Sequence, residues 1–321
     1  MTSVAVLVPT FRRPGDLARC LHTLRLQQRG PDRVVVVRRP EDEDTGKVLA
    51  AQAELPLQEV LVHEPGQVAA LNAGLDAVTE DVVAITDDDA APRPDWVEQI
   101  ENWFARDRRL GALGGRDWVY HGRELQDGAE RKVGRVAWYG RFVSFHHLGT
   151  GPPREVDFLK GANMSFRREA IEQLRFDGRL RGAGAEYLND WAFTLAVKRE
   201  GWKVVYDPAV AIDHYEGKRD GVDARSVGGT GSRSVEQREV AHQRAHNETY
   251  IAVRHLPARR AVAHVLFAVL MGSTVAPAPA LAVTRVGALG GPRSAATEVG
   301  GTLRARLGGA LAGLRARLGS G

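Results

Sequence analysis

The sequence predicts an α/β fold, a mixed but mainly parallel sheet flanked by helices, followed by a helical C-terminal extension. Three observations carry this. Short apolar runs rich in Val alternate with helix-period segments over the first hundred residues, the pattern of strands buried on both faces and joined by crossover helices. The chain has 321 residues, 43% of them hydrophobic and 26% charged, which is enough for a sizeable core and lies outside the disordered or collagen-like range. Its single cysteine, Cys20, excludes an internal disulfide framework, and Met1-Thr2-Ser3 runs straight into an apolar strand, so a cytoplasmic setting is expected.

Residues 4–8 form the first strand, ended by Pro9, and Pro14 opens a helix with Leu17, Cys20, Leu21 and Leu24 on one face. Residues 34–37 are the second strand, the acids at 41–44 open a second helix, and a third strand lies at 60–62. Gly66 leads into a helix with Leu71, Leu75 and Val78, and the fourth strand, 82–85, ends abruptly in Asp87-Asp88-Asp89. Between 111 and 166 glycines, aromatics and the pair His146-His147 break the periodicity, predicting mixed strands and loops. Helices are expected over 167–174 and 186–199, and short strands over 202–206 and 210–213. The expected organisation is an α/β domain over 1–215, in two halves that divide at 110/111. A Gly-rich flexible loop over 216–234 and a helical, membrane-associated region over 235–321 follow, the latter opening with a polar helix at 235–255.

The net charge of +4 is uneven: residues 285–321 hold six arginines against one acid, Glu298, and the remainder nets −1. A nearly neutral body argues against a nucleic-acid groove. Residues 261–283 carry no formal charge over a length that would span a bilayer. Yet His264, Gly272-Ser273-Thr274, Pro277 and Pro279 favour a buried or interfacial helical hairpin over a span. Leu303, Leu307, Leu311, Leu314 and Leu318 recur at three- and four-residue steps among arginines, the pattern of a basic amphipathic helix attracted to an anionic membrane surface. That reading places the protein peripherally on the inner face of the cell membrane; a poorly ordered solubilising tail is the competing one. His242 and His246, four apart, read as a solvated helix face, because no further metal ligand accompanies them.

The triple aspartate is the sharpest chemical feature. Open α/β sheets bind ligands beyond the carboxyl ends of their strands. Adjacent carboxylates repel unless a cation compensates them, and carboxylate oxygens suit Mg²⁺ or Mn²⁺. A solvated acidic turn is the alternative, disfavoured by the strand placement and by the Pro92-Arg93-Pro94-Asp95-Trp96 run that follows.

The runs Val8-Pro9-Thr10-Phe11-Arg12-Arg13-Pro14, Gly66 through Asn72-Ala73-Gly74-Leu75, Thr86-Asp87-Asp88-Asp89, Gly161-Ala162-Asn163-Met164-Ser165-Phe166, Asn189-Asp190-Trp191 and Tyr206-Asp207-Pro208 leading to His214 occur in a fixed order. Together, over about residues 3–215, the chain resembles a family 2 glycosyltransferase of the GT-A fold. The resemblance implies a metal-dependent, inverting transfer of a sugar from a nucleotide-sugar donor to a hydroxyl of a glycan or lipid-linked acceptor, in cell-envelope or exopolysaccharide synthesis. In it, Asp87 and Asp89 match the outer carboxylates of an Asp-x-Asp motif that holds Mn²⁺ or Mg²⁺, and His214 completes the metal site. Pro9, Thr10, Arg13, Asn72, Asp87 and Asp88 fall on the donor side, and Gly161, Ala162 and Asn163 at the donor–acceptor junction. Asp190 matches the catalytic base, and the resemblance makes 1–215 the catalytic domain, with 1–110 its donor nucleotide-binding half and 111–215 its acceptor half. Trp191, His146, His147 and Glu186 are assigned to the acceptor side, with Glu186 a substitute base because Asn189 stands where many members carry a second acid.

The chemistry of this set is direct. A metal neutralises the diphosphate leaving group, and a carboxylate within reach of the acceptor hydroxyl takes its proton during in-line attack. One departure bears on the donor: Arg38-Arg39-Pro40 follow Val37 where the family usually has an aspartate for uracil. Asp42 or Asp44 stands in, or backbone groups read the base. A UDP-sugar is favoured by frequency alone, and thymidine and guanosine donors stay open. Two rivals remain. A nucleotidyltransferase needs a Gly-rich phosphate loop after the first strand, and here the first glycine is Gly15. A non-catalytic sugar-nucleotide-binding scaffold would not hydrolyse donor.

Overall fold

The computed structural model describes residues 2–52, 54–182, 184–215, 234–273, 275–287, 289 and 291–319. They form two compact units, one of residues 1–135, 143–178 and 189–217, the other of 136–142, 179–188 and 218–321. The second unit thus takes two short segments from the stretch expected to form the acceptor half. The expected Gly-rich loop lies outside the described residues except for Ser234.

The first unit begins as the periodicity predicts: β1 (Val4–Pro9), α1 (Pro14–Arg25), β2 (Arg33–Arg38), α2 (Glu43–Ala50), β3 (Leu57–Leu61), α3 (Gln67–Ala77) and β4 (Val82–Ile85). These strands pair in parallel, β4 on β1, β1 on β2 and β2 on β3. There follow β5 (Ala90–Pro92), α4 (Trp96–Arg106), β6 (Leu110–His121), β7 (Glu124–Leu125), β8 (Arg135–Val136) and β9 (Phe142–Val143), the last two each with one residue counted in the second unit, then β10 (Arg154–Glu155), β11 (Met164–Arg167), α5 (Arg168–Ile171), α6 (Asn189–Arg199) and β12 (Lys203–Tyr215). The main sheet runs β10-β12-β6-β11-β4-β1-β2-β3, with β5 beside β12 and β7 beside β6.

Successive residues of the sheet feed two cores. Val4, Val6 and Val8 pack with Leu17 and Leu21 of α1 and Trp96, Ile100 and Phe104 of α4. Ala5 and Leu7 pack with Leu71 of α3 and Phe193 of α6 on the other face. Burial on both faces is why these strands read as continuous apolar runs.

Four boundaries differ from the sequence reading. The third strand starts at Leu57, and the helix expected over 167–174 shrinks to α5 because Arg167 stays in β11. There its guanidinium donates to the carbonyls of Phe104, Asp107 and Leu110. The helix expected from 186 starts at Asn189, since Glu186 and Leu188 hold φ values of 29° and 67°, outside helical space. The two short strands after 202 are one strand, β12, with an irregular step between Asp207 and Ile212 against β6.

In the second unit α7 (Val235–His255) opens with a capping box: the Ser234 side chain accepts from the Gln237 N–H, and the Gln237 side chain accepts from the Ser234 N–H. It is followed by α8 (Ala258–Leu270), α9 (Pro279–Val283) and α10 (Pro292–Leu318). The uncharged stretch is broken at Met271–Ala278, and among the described residues no helix is long and apolar enough to cross a membrane. The last segment is an ordered 27-residue helix. It lies against α7 through its small residues: a Cβ on Gly309 would come within 2.2 Å of the His246 carbonyl, and one on Gly313 within 2.7 Å of that of Tyr250. His246, expected on a solvated face, is buried in this seam with Nδ1 3.2 Å from the Ala305 carbonyl. Arg317 donates to the carbonyls of Val253 and Leu256, which satisfies the C-terminal end of α7.

The β6–β12 contact positions everything described next, and it depends on Gly115. A Cβ there would fall 1.5 Å from the Val210 carbonyl oxygen, and a backbone atom cannot swing aside. Gly115→Ala should therefore destabilise the protein by at least about 3 kcal/mol. Chemical denaturation of variant and wild type measures this, and equal midpoints would refute the close approach.

Candidate active site

The fold delivers the acidic turn to the sheet's carboxyl edge by ordinary pairing. At the end of β4 the Thr86 N–H donates to the Leu7 carbonyl and its hydroxyl to the Ala162 carbonyl, 2.9 Å away. The chain then turns through Asp87, Asp88 and Asp89 into β5, which pairs antiparallel with β12 so that Ala90 faces His214. The Tyr215 N–H donates to the Asp89 carbonyl. This register sets His214 Nε2 3.1 Å from Asp89 Oδ1.

The three aspartates diverge. Asp88 turns back into the loop after β1, accepting from the Thr10 hydroxyl and the Arg13 guanidinium, both at 2.8 Å. The same guanidinium nitrogen reaches Asp89 at 3.1 Å. Burial pushes the Asp88 carboxyl up to about 7, with Asp89 and Asp87 adding to the rise while Arg13 and Thr10 oppose it. Thr10 is itself fixed by donating its N–H to the Val37 carbonyl beyond Pro9. Thr10 and Arg13 thus hold the loop after β1 against the acid turn.

Asp87, Asp89 and His214 each present a ligand atom, and these atoms lie within 4.8 Å of one another. His214 stands between two carboxylates: its Nδ1 is 3.6 Å from Asp117 Oδ2, and neither ring nitrogen is aligned in a hydrogen bond. Burial disfavours its charged form, but Asp117 and Asp89 outweigh that and push its pKa up to about 9. A buried imidazole that meets a carboxylate on each side joins Asp87 and Asp89 in a donor set that fits a divalent cation such as Mn²⁺.

Asp117 and Lys160 escaped the sequence reading. Asp117, on β6, is fully buried and paired with Lys160, and despite burial the two cations around it hold its carboxyl far below the ordinary range. The only available signal was a charge inside Gly114-Gly115-Arg116-Asp117-Trp118, within the stretch expected to mix strands and loops. A carboxylate behind a metal-binding imidazole fixes its orientation.

Asp190 opens α6, where the helix dipole favours an anion. Its Oδ2 accepts from the Gly161 N–H at 2.7 Å and its Oδ1 from the Trp191 N–H at 2.9 Å. The next residue, Ala162, takes a left-handed φ of 77° and gives its carbonyl to Thr86. The 161–162 turn therefore ties Asp190 to the acid turn through one short stretch of backbone. Trp191 packs on Phe158 with ring centroids 4.5 Å apart. Glu186 belongs to the second unit.

Three expected contact residues serve the fold. Asn72 closes both ends of its amide on the backbone of Phe176, at 3.0 and 2.8 Å. Buried Asn163 accepts from the Trp96 indole and donates to the Val210 carbonyl, cross-linking the sheet. His146 is 1% exposed, its Nε2 on the Phe158 carbonyl and its ring against Tyr206, so it is a core residue. His147 is half-buried beside it, and burial lowers its pKa. Asp42 caps α2 through Thr45 and accepts the Arg12 N–H, which ties it to the backbone. Around it lies a cleft of about 380 Å³ lined by Arg12, Pro14 and residues 41–44.

Comparisons with known proteins agree with this arrangement. The family described as "Glycosyltransferase like family 2" matches residues 2–228. Glucosyl-dolichyl phosphate glucuronosyltransferase of Haloferax volcanii is 23% identical over 223 residues, 66% of this chain and 68% of its own. Among solved structures, the mannosyltransferase PcManGT of Pyrobaculum calidifontis, in complex with GDP-Man and Mn²⁺, superposes with a TM-score of 0.58 at 21% identity, over 99% of this chain and 86% of its own. TarS of S. aureus with UDP-GlcNAc gives 0.54 at 13% identity over 95% of this chain and 90% of its own. GalNAc-T7 with UDP, GalNAc and Mn²⁺ gives 0.61 at 14% identity over 84% and 50%. These likenesses establish the GT-A fold.

Burial lowers the His146 pKa to about 4. Below its ordinary pKa of 6.5 the unfolded chain binds a proton that the native core refuses, so stability falls as pH drops from 6.5 toward 4, by about 3 kcal/mol in all. Denaturant titrations across this range should show His146→Gln with a flatter profile than wild type. Parallel profiles would exclude the effect.

Proposed function

The chain belongs to the family 2 glycosyltransferases, and on that premise we propose that it transfers a sugar from a nucleotide-sugar donor to a hydroxyl of a glycan or lipid-linked acceptor, inverting the anomeric centre. One observation carries the reading: the Asp87–Asp89–His214 group and the Asp190 carboxylate are joined through Thr86, Ala162 and Gly161 at one end of the sheet. Transfer needs these two functions side by side, charge neutralisation at the leaving group and a base at the attacking hydroxyl.

A divalent cation, Mn²⁺ or Mg²⁺, held by Asp87, Asp89 and His214 would neutralise the diphosphate as it leaves. Asp117, itself paired with Lys160, orients His214, and Arg13 carries the charge of Asp88 and Asp89 before a ligand arrives. The nucleoside is assigned to the cleft around Asp42, whose acidic rim suits a base that presents N–H groups, such as uracil or guanine. Backbone N–H groups of Gly161 and Trp191 fix the Asp190 carboxylate, the base that takes the acceptor hydroxyl's proton. A single carboxylate acting as base in one displacement gives inversion. The Haloferax relative is named for action on a glucosyl-dolichyl phosphate, which supports a lipid-linked acceptor.

Asp190→Asn should retain donor affinity, measured by thermal shift against a panel of sugar nucleotides with Mn²⁺. Transfer should fall by roughly 10²- to 10⁴-fold. Near-normal turnover would move the base elsewhere, with Glu186 next to be tested. His214→Ala should weaken Mn²⁺ binding, followed by the paramagnetic resonance of free Mn²⁺, by at least the roughly 10- to 100-fold that even an outer partner of a ligand is worth. Unchanged affinity would remove His214 from the site.

A further inference from the structure

The second unit turns leucines outward and small residues inward. On α10 the inward positions are Ala295, Thr302, Ala305, Gly309, Gly313 and Ala316, whereas Leu307, Leu311, Leu314 and Leu318 are 48 to 74% exposed. On α8, which touches α10, Ala261, His264 and Ala268 face inward while Val262, Leu266 and Leu270 are 58 to 60% exposed. Spacings of three and four residues make each set a continuous row along its helix. Beside α8 stands Trp138, 81% exposed. Its neighbour Tyr139 packs edge-on against Phe267 at 5.1 Å, and His264 Nδ1 donates to the Gly140 carbonyl at 2.8 Å, so the loop is fastened to that helix. Apolar rows of this length on a protein surface mark a contact with something.

Charge identifies the contact. From residue 258 to 319 the chain holds eight arginines, no lysine and one acid. That acid, Glu298, is buried 3.8 Å from Arg238, so it offers the surface no negative charge. Arg259, Arg293, Arg304 and Arg315 are exposed along the same helices. A second copy of this surface would set arginine against arginine with no acid between them, and a nucleic acid would leave the leucines in water. An anionic bilayer answers all three features at once: an acyl phase for the leucines, phosphates for the arginines and a headgroup layer for an indole.

We propose that the exposed rows of α8 and α10, with Trp138, form an interfacial anchor that lays the second unit on an anionic lipid surface without crossing it. The anchor is independent of the transfer reaction and does not rest on the assignment of Asp190 or the metal group.

Flotation of the full chain with vesicles of phosphatidylcholine containing one third phosphatidylglycerol tests this. Wild type should float with these vesicles, float poorly with pure phosphatidylcholine and be released by high salt. Joint Leu307→Gln, Leu311→Gln and Leu314→Gln substitution should lower vesicle partitioning by at least about tenfold with an unchanged melting temperature, because these side chains already face solvent. Trp138 emission, isolated by difference against Trp138→Phe, should shift to the blue and be quenched by bromine-labelled lipid. Wild type that stays unbound, or variants that bind as well as wild type, would overturn the proposal. A dimer dissociated by the glutamine substitutions, without vesicle binding, would overturn it in favour of a second copy.

Discussion

Four carboxylates, Asp87, Asp88, Asp89 and Asp117, gather where β4, β5, β6 and β12 meet, three of them almost fully buried. Like charges at such range in a low dielectric cannot persist without cations. The chain supplies three: Arg13 from the first loop, Lys160 from the turn before β11, and His214 from β12. Much of the surrounding architecture follows from bringing those cations in. The β5–β12 register sets His214 against Asp89, and Gly115 lets β6 come close enough to β12 for Asp117 to stand behind the same imidazole. Lys160 is also the residue before Gly161, so the segment that neutralises Asp117 is the segment that holds Asp190.

The sequence exposed the parts of this arrangement that local rules determine. Buried parallel strands announce themselves as Val-rich runs, and an acid cluster directly after such a run lands at the ligand-binding edge whatever the rest of the chain does. The pairing of Asp89 with His214 was legible through family likeness alone, because the two are distant in sequence and meet through strand register. Asp117 left no trace: a charge within a glycine-interrupted strand has the local signature of a loop. Asn72 and Asn163 show the opposite error. The resemblance put them on the donor side and at the donor–acceptor junction, whereas their amides close on backbone groups that would be costly to leave unmet inside the protein.

The C-terminal helices illustrate a different limit. Leucine spacing on α10 gave the correct period and read as a stripe turned to a membrane surface, against the usual expectation that such a stripe turns inward, but spacing alone does not say why. Here glycines and alanines let the α10 backbone approach α7, with His246, Arg306 and Thr302 filling the seam. The apolar stripe is thereby displaced to the outside. Helical period is written in one segment, but the side that faces in is chosen by what the neighbouring helix can accommodate.

Arg13 has a role in the life of the protein as well as in its site. Many metal-dependent proteins reach their shape only when the ion arrives, because their ligands repel one another until then. In this chain a permanently charged guanidinium, joined by an imidazole that can carry a proton, already balances the acid turn. The charge balance that holds the acid turn is thus built from the chain's own side chains, so folding at this edge of the sheet does not wait on an ion.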